Sequence, residues 1–335
     1  MVARGHELDA VDLFASAGGL SIGLEAAGFA PVAAVESDAD ASATYRDRHA
    51  GAAVIAEDIA MVDFRPMRGH VALVAGGPPC QPFSVGGKRL AADDPRNGIP
   101  QFVRAIGEIR PRGFLMENVA GLAASTKREY FFEVMGQFER LGYTMTWSVL
   151  QAADYGVPQN RSRLFAVGLR GRTFCFPPPT HGAQAARPWK AAGAVIGSCQ
   201  PPDNLNHAKV TYARNPSLRP DPYHGHLFNG GGRPIRLSRP APTMLASMGG
   251  NKTPWLDTLD LVPRYHAHLA GGGAPRQGPV PGARRITVDE AAVLQTFPPG
   301  TLFAGPRTSQ YRQVGNAVPP QLANHVGRAL RQQLS

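Results

Sequence analysis

A cysteine flanked by prolines is the strongest candidate nucleophile in the sequence. Cys80 lies in AGGPPCQPFSVGG, immediately after an apolar run that predicts a buried strand. The prolines hold it rigidly at a sheet edge, and this loop context argues against a core cysteine. Since the thiolate is the nucleophilic form, local donors or dipoles must help this thiol to lose its proton. Cys175 and Cys199 lack such a context.

An acid and two arginines are candidates for proton transfer and charge stabilisation. In FLMENVAGL, three apolar residues lead to Glu117, which places a carboxyl at the same sheet edge as Cys80. Burial favours the protonated form of a carboxyl, so Glu117 could donate a proton. A salt-bridged or helix-capping glutamate is the alternative. In DYGVPQNRSRLFAVG, Arg161 and Arg163 are expected to point to the same side of a strand start, suited to an anion or a carbonyl oxygen.

A glycine turn and two acids indicate a ligand site of another kind. In DLFASAGGLSIG, Gly18 and Gly19 allow a ligand to approach the backbone where a strand turns into a helix. Glu36 ends the next strand and could hold ribose hydroxyls, and Asp58 could accept from an adenine amino group. Neither GxGxxG nor a P-loop lysine is present, which favours an adenosine-type ligand without phosphates. A purely structural glycine turn remains the alternative.

Alternating strands and helices must position these groups. Apolar runs predict strands at 11–14, 31–35, 53–55, 70–75, 113–116, 144–151 and 164–169, and helical spacing predicts helices at 21–27, 102–109, 130–141, 288–296 and 320–334. This alternation predicts a doubly wound α/β sheet with ligands at the carboxyl ends of its strands. After Phe176, turn-rich segments leave room only for short strands, and interspersed aromatic residues favour an ordered small domain. The C-terminal helix is expected to pack on the first domain.

The charge is unevenly distributed. Residues 1–170 contain 17 basic and 19 acidic side chains, whereas residues 171–335 contain 18 basic and 6 acidic ones. The basic surplus therefore lies in the second half, which favours a polyanion such as nucleic acid as the partner. Because 30 of the 35 basic residues are arginine, a codon bias toward arginine is the alternative, but it does not easily explain the split.

Several classes of protein are disfavoured by composition. No apolar run approaches the roughly 18 residues of a membrane span, and the N-terminus carries no secretory signal. The three cysteines form no CxxC pair, which argues against a disulfide framework or a cysteine-rich zinc site. We therefore expect no metal site, no membrane partner and a reducing, cytoplasmic location.

Taken together, the motifs resemble those of the cytosine-5 DNA methyltransferase family of the bacterial and phage restriction-modification type. They occur in the family's order as DLFASAGG, ESD, EDI, GGPPCQPFS, ENV, QNRSR, RRITVDEAAVLQTFP and QVGNAVP. The resemblance covers most of the chain, and the combination of PPCQ, ENV and QxRxR is highly specific. One departure is Ser16, where glycine is usual.

The resemblance implies a Rossmann-like, S-adenosylmethionine-dependent α/β sheet with a smaller, loop-rich target-recognition domain. Residues 1–180 and 311–335 would form the catalytic, cofactor-binding domain, and residues 181–310 the recognition domain.

Site residues follow from the same resemblance. The S-adenosylmethionine pocket would comprise Phe14, Ala17, Gly18, Gly19, Glu36, Ser37, Asp58, Ile59, Pro78, Asn316 and Ala317. The catalytic set would comprise Cys80 as nucleophile, Glu117 at the ring nitrogen of the base, and Arg161 and Arg163, with Arg163 near the carbonyl oxygen. Contacts with DNA are expected from Gln81, Ser84, Arg233, Arg236, Arg239 and Thr243. The stretch that contains the three arginines and Thr243 could alternatively be a Gly-rich hinge.

The implied reaction is methyl transfer to carbon-5 of a flipped-out cytosine in a specific duplex sequence, through a covalent cysteine adduct. The implied protein is a monomer associated with the prokaryotic nucleoid, with a possible cognate restriction endonuclease acting on the same site. Three alternatives remain open: a tRNA-directed relative, disfavoured because a Cys-Phe-Thr tripeptide is missing; a catalytically silent DNA-binding protein; and a nicotinamide dehydrogenase.

Overall fold

The chain folds into two compact units. The computed structural model describes residues 8–80, 97–124, 128–196, 206, 208–229 and 232–334. The first unit comprises Met1–Tyr155, Ser162–Thr180 and Ala317–Ser335, and the second comprises Gly156–Arg161 and His181–Asn316. This division differs from the predicted one at 156–161 and 311–316, which belong to the second unit. Among the described residues, no helix is long and apolar enough to span a membrane.

The secondary structure follows the predicted alternation in the first half of the chain. The strands are β1 (Asp9–Leu13), β2 (Ala30–Val35), β3 (Ala53–Ile55), β4 (Leu73–Gly76), β5 (Gly113–Val119), β6 (Thr144–Gln151), β7 (Ser162–Leu169), β8 (Tyr212–Ser217), β9 (His226–Phe228), β10 (Pro234–Ile235), β11 (Trp255–Leu256) and β12 (Arg284–Arg285). The α-helices are α1 (Gly19–Ala26), α2 (Ala39–Arg48), α3 (Ile99–Ile109), α4 (Arg128–Arg140), α5 (Gly193–Ile196), α6 (Leu261–Ala270), α7 (Val288–Leu294), α8 (Arg307–Asn316) and α9 (Pro320–Leu334).

The first unit is built on one sheet that, within the described residues, has seven strands in the order β3-β2-β1-β4-β5-β7-β6. Strands β1 to β5 pair in parallel, and β7 pairs antiparallel with both β5 and β6. The arrangement confirms the predicted Rossmann-like α/β fold. Strand order reverses between β1 and β4, so the carboxyl ends of these two strands form the crevice where such sheets bind ligands.

Burial explains why these segments became central strands. β1, β4 and β5 are buried along almost their whole length, as expected for parallel strands covered on both faces. A Cβ at Gly76 would overlap the Leu13 carbonyl oxygen, so glycine permits the close pairing of β1 with β4. Helix α3 presents Phe102, Ile106 and Ile109 to the core, where the Phe102 ring meets Phe114 edge-on.

Helix α2 was not predicted. Its sequence, ADASATYRDR, has no apolar stripe that would identify a helix by periodicity. The helix is defined instead by its cap, because the Asp38 side chain accepts from the Ala41 backbone N–H at 3.0 Å.

The C-terminal helix packs on α1, as predicted. Gly23 of α1 and Gly327 of α9 remove the Cβ atoms that would separate the two helices. A Cβ at Gly23 would overlap Ala323 Cβ and would lie 2.8 Å from the Asn324 backbone nitrogen. A Cβ at Gly327 would lie 2.9 Å from Ala27 Cβ.

We predict that Gly23→Ala destabilises the protein. Since its Cβ would meet backbone and a short side chain, α1 and α9 must move apart, at a cost of about 1–3 kcal/mol. The matched control is Gly107→Ala in α3, where the nearest atoms, on Leu141, lie 3.5 Å and 3.7 Å away. There the better helix propensity of alanine should stabilise by up to ~1 kcal/mol. Urea unfolding of both variants checks the prediction, and equal effects would contradict it.

The second unit has its own small core. Sheet β10-β11-β12 and the hairpin β8-β9 surround a cluster that includes Leu227, Trp255, Val262 and Tyr265. The ordered small domain expected from the aromatic residues is therefore present. The expectation of short strands alone is wrong at α6, where Pro263 falls in the first helical turn, a position that needs no backbone N–H.

Candidate active site

The loop between β1 and α1 holds three residues in the left-handed region. Phe14, Ser16 and Gly18 have φ angles of 57°, 49° and 78°. For a residue with a Cβ this conformation costs roughly 1–2 kcal/mol, which explains why glycine suits the position of Ser16. The Ser16 backbone N–H donates to Glu36 Oε2 at 2.8 Å, so the loop is tied to the end of β2.

Glu36 combines a structural contact with spare acceptor capacity. Its second oxygen, Oε1, accepts from the Asp38 backbone N–H at 2.7 Å. Burial raises the pKa of Glu36, and the backbone N–H bonds partly oppose this effect. Each carboxylate oxygen has a second lone pair, so both can still accept from hydroxyls. The predicted ribose contact, with the exposed Ser37 beside it, stays a prediction.

After β3, Asp58 is exposed and its Oδ1 accepts from the Ala60 backbone N–H at 2.9 Å. Ile59 beside it is buried and belongs to the core of the unit. The carboxylate is therefore fixed at the start of a short turn and open to solvent. An adenine contact there stays a prediction.

A buried polar network lies beneath this loop. Ser21 Oγ donates to Asp12 Oδ2 at 2.6 Å and lies 2.7 Å from the Tyr45 hydroxyl. When Asp12 is ionised, Ser21 donates its only hydroxyl proton to Asp12, so the Tyr45 hydroxyl donates to Ser21. The Tyr45 ring packs on His49 with centroids 4.4 Å apart, and a Cβ at Gly18 would lie 2.6 Å from His49 Nε2. The network therefore supports the loop from below, and burial raises the pKa of Asp12 to about 7.

This network predicts a pH-dependent stability. Asp12 in the folded protein keeps its proton between its ordinary pKa of 3.8 and about 7, whereas the unfolded chain loses it near 3.8. Stability therefore falls as pH rises through this interval, by up to about 1.4 kcal/mol per pH unit. Asp12→Asn removes this titration, so the variant should not lose stability as the wild type does. The free energy of unfolding of the variant minus that of the wild type should therefore increase from pH 5 to pH 8. Urea unfolding at both values measures this, and a constant difference would refute it.

The loop after β4 packs against the end of β5. Asn118 Nδ2 donates to the Pro78 carbonyl oxygen at 2.9 Å, and Asn118 Oδ1 accepts from the Val119 backbone N–H at 2.9 Å. A Cβ at Gly77 would lie 3.3 Å from Glu117 Oε2. The proline-rich loop and the ENV segment are thus in direct contact, and the buried Pro78 is fixed by its carbonyl group.

Cys80 is half-buried at the end of this loop and forms an antiparallel bridge with Asn97. The Gly98 backbone N–H donates to the Pro79 carbonyl oxygen at 2.9 Å. A Cβ at Gly98 would lie 2.7 Å from both the Phe14 ring and the Pro79 ring. Phe14, predicted to line the cofactor pocket, therefore lies beside the loop that carries the predicted nucleophile.

Glu117 and Arg163 form an ion pair on neighbouring strands. Arg163 Nε lies 3.0 Å from Glu117 Oε1, and both side chains are largely buried, with 16% and 9% of their surface exposed. Burial disfavours the charge on Glu117 and the guanidinium favours it, so the two effects oppose each other. Arg163 Nη1 also donates to the Ser162 carbonyl oxygen at 2.8 Å, which orients the guanidinium. The pair supplies a positioned acid and a cation at the carboxyl end of β5.

Arg161 does not share the surroundings of Arg163, which corrects the expectation that both serve the same anion or carbonyl group. Its side chain is buried in the second unit, where it donates to the carbonyl oxygens of Met244 at 2.9 Å and Gly315 at 3.0 Å. Because carbonyl groups of the chain itself take these donors, we assign Arg161 a structural role.

The remaining predicted cofactor residues are distributed over both units. Ala17 and Gly19 are buried at the start of α1. Ala317 is buried in the first unit, whereas Asn316, the exposed last residue of α8, belongs to the second. Gln81 and Ser84 lie outside the described residues, as does Cys199.

The predicted DNA-contacting arginines of the second unit, Arg233, Arg236 and Arg239, are exposed. Arg236 lies over the Tyr223 ring, 5.6 Å from its centroid. Thr243 is half-buried, and its hydroxyl donates to the Asn160 carbonyl oxygen at 2.6 Å. The three arginines are thus available to a partner, whereas Thr243 already has an intramolecular contact.

Two buried glutamines were missed as functional positions. Gln159 Oε1 accepts from the Met244 backbone N–H at 2.8 Å, and Gln159 Nε2 donates to Gln295 Oε1. Gln295 Nε2 donates to the Val314 carbonyl oxygen at 3.1 Å. Both lie within the motifs QNRSR and AVLQTFP, but sequence spacing does not reveal that they connect these motifs inside the second unit.

Comparison with known proteins agrees with this geometry. A model of the C-5 cytosine-specific DNA methylase family matches residues 8–214 and 247–332. The chain is 35% identical to the type II methyltransferase M1.HphI of Haemophilus parahaemolyticus, covering 96% of this chain and 86% of that protein. It is 32% identical to M.NgoMIV of Neisseria gonorrhoeae, covering 97% of each.

Solved structures show the same fold at low sequence identity. A DNMT2 variant from Spodoptera frugiperda superposes with a TM-score of 0.72 at 17% identity, covering 96% of this chain and 99% of that one. The Dnmt2 methyltransferase of S. pombe gives a TM-score of 0.69 at 16% identity, covering 98% and 99%. Since the family model spans most of the chain and curated type II methyltransferases match nearly all of it, this protein belongs to the C-5 cytosine-specific DNA methylase family, of the restriction-modification type.

Proposed function

We propose that this enzyme transfers a methyl group from S-adenosylmethionine to carbon-5 of a cytosine flipped out of a specific duplex DNA sequence, through a covalent adduct with Cys80. One observation carries the proposal. In the first unit, the loop after β4 that bears Cys80 packs against Phe14 on one side and contacts Glu117, the partner of Arg163, on the other.

The residues at the ends of β1, β2 and β3 fit S-adenosylmethionine better than a phosphate-bearing cofactor. Glu36 and Asp58 are carboxylates, which accept from hydroxyl and amino groups but repel phosphate. The left-handed loop with Gly18 exposes backbone to the ligand. Phe14 beside Gly98 provides an apolar surface. When bound, S-adenosylmethionine supplies an electrophilic methyl group on its sulfonium.

The side chains then have separate tasks. Carbon-5 of cytosine is a poor nucleophile until the Cys80 thiolate adds to carbon-6. Glu117 delivers a proton to the ring nitrogen during this addition, and Arg163 stabilises the carbonyl oxygen. Carbon-5 then takes the methyl group and loses its proton to a base such as water, and the electron pair of that C–H bond expels the thiolate. The ring nitrogen returns its proton to Glu117, which restores neutral 5-methylcytosine. Stacking shields carbon-6 in a duplex, so the base must leave the helix, at a cost of a few kcal/mol.

The second unit is the proposed target-recognition domain. The family model does not match residues 215–246, the stretch that contains Arg233, Arg236 and Arg239. Exposed arginines can contact guanine edges or phosphates. A basic second half, with 18 basic against 6 acidic side chains in residues 171–335, suits a polyanion. We therefore propose that this segment sets the recognition sequence.

The biological setting is part of the proposal. Type II methyltransferases among the relatives suggest a cognate restriction endonuclease that acts on the same sequence, or an orphan modification enzyme. We further propose that the protein acts as a monomer on chromosomal DNA, in the cytoplasm of a prokaryote.

Methyl transfer from labelled S-adenosylmethionine tests the proposal. Unmethylated duplex DNA and tRNA are incubated in parallel, and the products are digested to nucleosides. We expect label in 5-methylcytosine from DNA only. Label from tRNA would assign the enzyme to an RNA-directed branch. Tight DNA binding without transfer to either substrate would indicate a silent DNA-binding protein.

A further inference from the structure

The backbone of Cys80 is held by a segment that follows it by 17 positions. Asn97 pairs with Cys80 in an antiparallel bridge, and the next residue, Gly98, donates its backbone N–H to the Pro79 carbonyl oxygen at 2.9 Å. The position of the thiol therefore depends on how firmly Asn97 is held.

Both the amide nitrogen and the amide oxygen of the Asn97 side chain form hydrogen bonds. Nδ2 donates to the Tyr130 hydroxyl at 2.7 Å, and Oδ1 accepts from the Ile99 backbone N–H at 3.2 Å, at the start of α3. The residue is 6% exposed, so a lost bond would leave a buried polar group without its partner. A flipped amide would place a donor against the Ile99 N–H. The amide orientation is therefore fixed, and Tyr130 anchors it.

Tyr130 also interacts electrostatically with Cys80 itself. It is in the first turn of α4, and both side chains pack against the same hydrophobic core. Burial raises the pKa of Tyr130 above its ordinary value. The hydrogen bond with Asn97 partly opposes this effect, and the negative charges of Cys80 and Glu133 add to it. The phenol thus stays neutral in the range where a thiolate forms, and it adds no negative charge beside the thiolate.

We propose that Tyr130 and Asn97 are positioning residues for the Cys80 nucleophile: the Tyr130 hydroxyl fixes the Asn97 amide, and Asn97 fixes the backbone of Cys80. This inference rests on the proposed function, in which Cys80 attacks the base. Neither Asn97 nor Tyr130 lies in the sequence motifs named above.

The test uses the full-length variants Tyr130→Phe and Asn97→Ala. Two properties are measured: the rate of Cys80 alkylation by iodoacetamide across pH, resolved by peptide mass spectrometry, and the single-turnover rate of methyl transfer. The exposed Cys175 in the same sample is an internal reference. Tyr143→Phe is the matched control, because its hydroxyl donates to the Pro111 carbonyl oxygen at 2.8 Å within the same core.

We expect both variants to lose single-turnover rate by on the order of 10- to 100-fold, as for a misplaced reacting group. The alkylation profile of Cys80 should shift while that of Cys175 stays, and the affinity for S-adenosylmethionine should be retained. The double variant should lose little more than either single one, because the two residues act through one bond. Tyr143→Phe should lower thermal stability without changing either readout.

Two results would overturn the inference: wild-type alkylation and transfer rates in both variants, or equal losses in Tyr143→Phe, which would indicate general destabilisation. Failure of the proposed function is recognised separately, because then either the wild-type protein would transfer no methyl group or Cys80→Ala would keep methyl transfer.

Discussion

We expect Cys80→Ala to abolish methyl transfer, with a loss of more than about a thousandfold in the single-turnover rate. The reason is chemical: without addition to carbon-6, carbon-5 of cytosine has no electron density to attack the methyl donor. Binding of S-adenosylmethionine and of DNA should survive, because alanine leaves the Cys80–Asn97 backbone bridge and the Phe14–Gly98 contact in place. The measurement is single-turnover transfer together with the affinity for each substrate.

The adduct itself can be trapped. A duplex with 5-fluorocytosine at the target has fluorine where the departing proton should be, so the thiolate cannot be expelled after methyl transfer. The wild-type protein should then migrate with DNA on a denaturing gel, and Cys80→Ala should not. Cys175→Ala is the control, since that thiol is exposed and outside the proposed site. Residual transfer in Cys80→Ala close to the wild-type rate would exclude this residue as the nucleophile.

The sheet could be predicted from sequence because its signals are local. Buried parallel strands are rich in apolar residues, so β4 and the first half of β5 could be recognised as short apolar runs ended by glycine or polar residues. β1 is buried throughout although its sequence, DAVDL, includes two aspartates. Helices α2 and α8 were missed because polar sequences such as RTSQYRQVGN carry no apolar stripe. Their stability depends on caps and on packing, which periodicity does not report.

For the candidate site too, the sequence could predict some residues and not others. Cys80 and Glu117 could be assigned to one sheet edge from the strand pattern, because Cys80 lies in the loop after β4 and Glu117 lies near the carboxyl end of β5. The different surroundings of Arg161 and Arg163 could not be predicted, although the two are separated by one residue. The partners of Arg161 are 83 and 154 positions away along the chain. Likewise, the Asn97–Tyr130 contact spans 33 positions and belongs to no motif.

The ion pair between Glu117 and Arg163 leads to the second large expected effect. Glu117→Gln keeps the shape of the side chain but cannot transfer a proton, so turnover should fall by about 10²- to 10⁴-fold. The KM for DNA should change little if the proton is delivered only in the transition state. The matched control is Glu108→Gln, measured at saturating S-adenosylmethionine. Glu108 also pairs with an arginine, Arg104, at 3.0 Å. Arg104 donates to the Ile59 carbonyl oxygen at 2.7 Å, so this pair borders the proposed cofactor pocket and is distinct from the pair that contains Glu117.

A double-mutant cycle separates the acid from its partner. Arg163→Met leaves the largely buried Glu117 without its cation and should also lower turnover, whereas the pair Glu117→Gln and Arg163→Met should lose less than the product of the single effects. Such coupling is expected because Arg163 orients the carboxyl at 3.0 Å as well as stabilising the base. Strictly multiplicative losses would mean that the two side chains act independently. A Glu117→Gln enzyme as active as Glu108→Gln would exclude Glu117 as the proton donor and leave the carboxyl with a structural role beside Gly77.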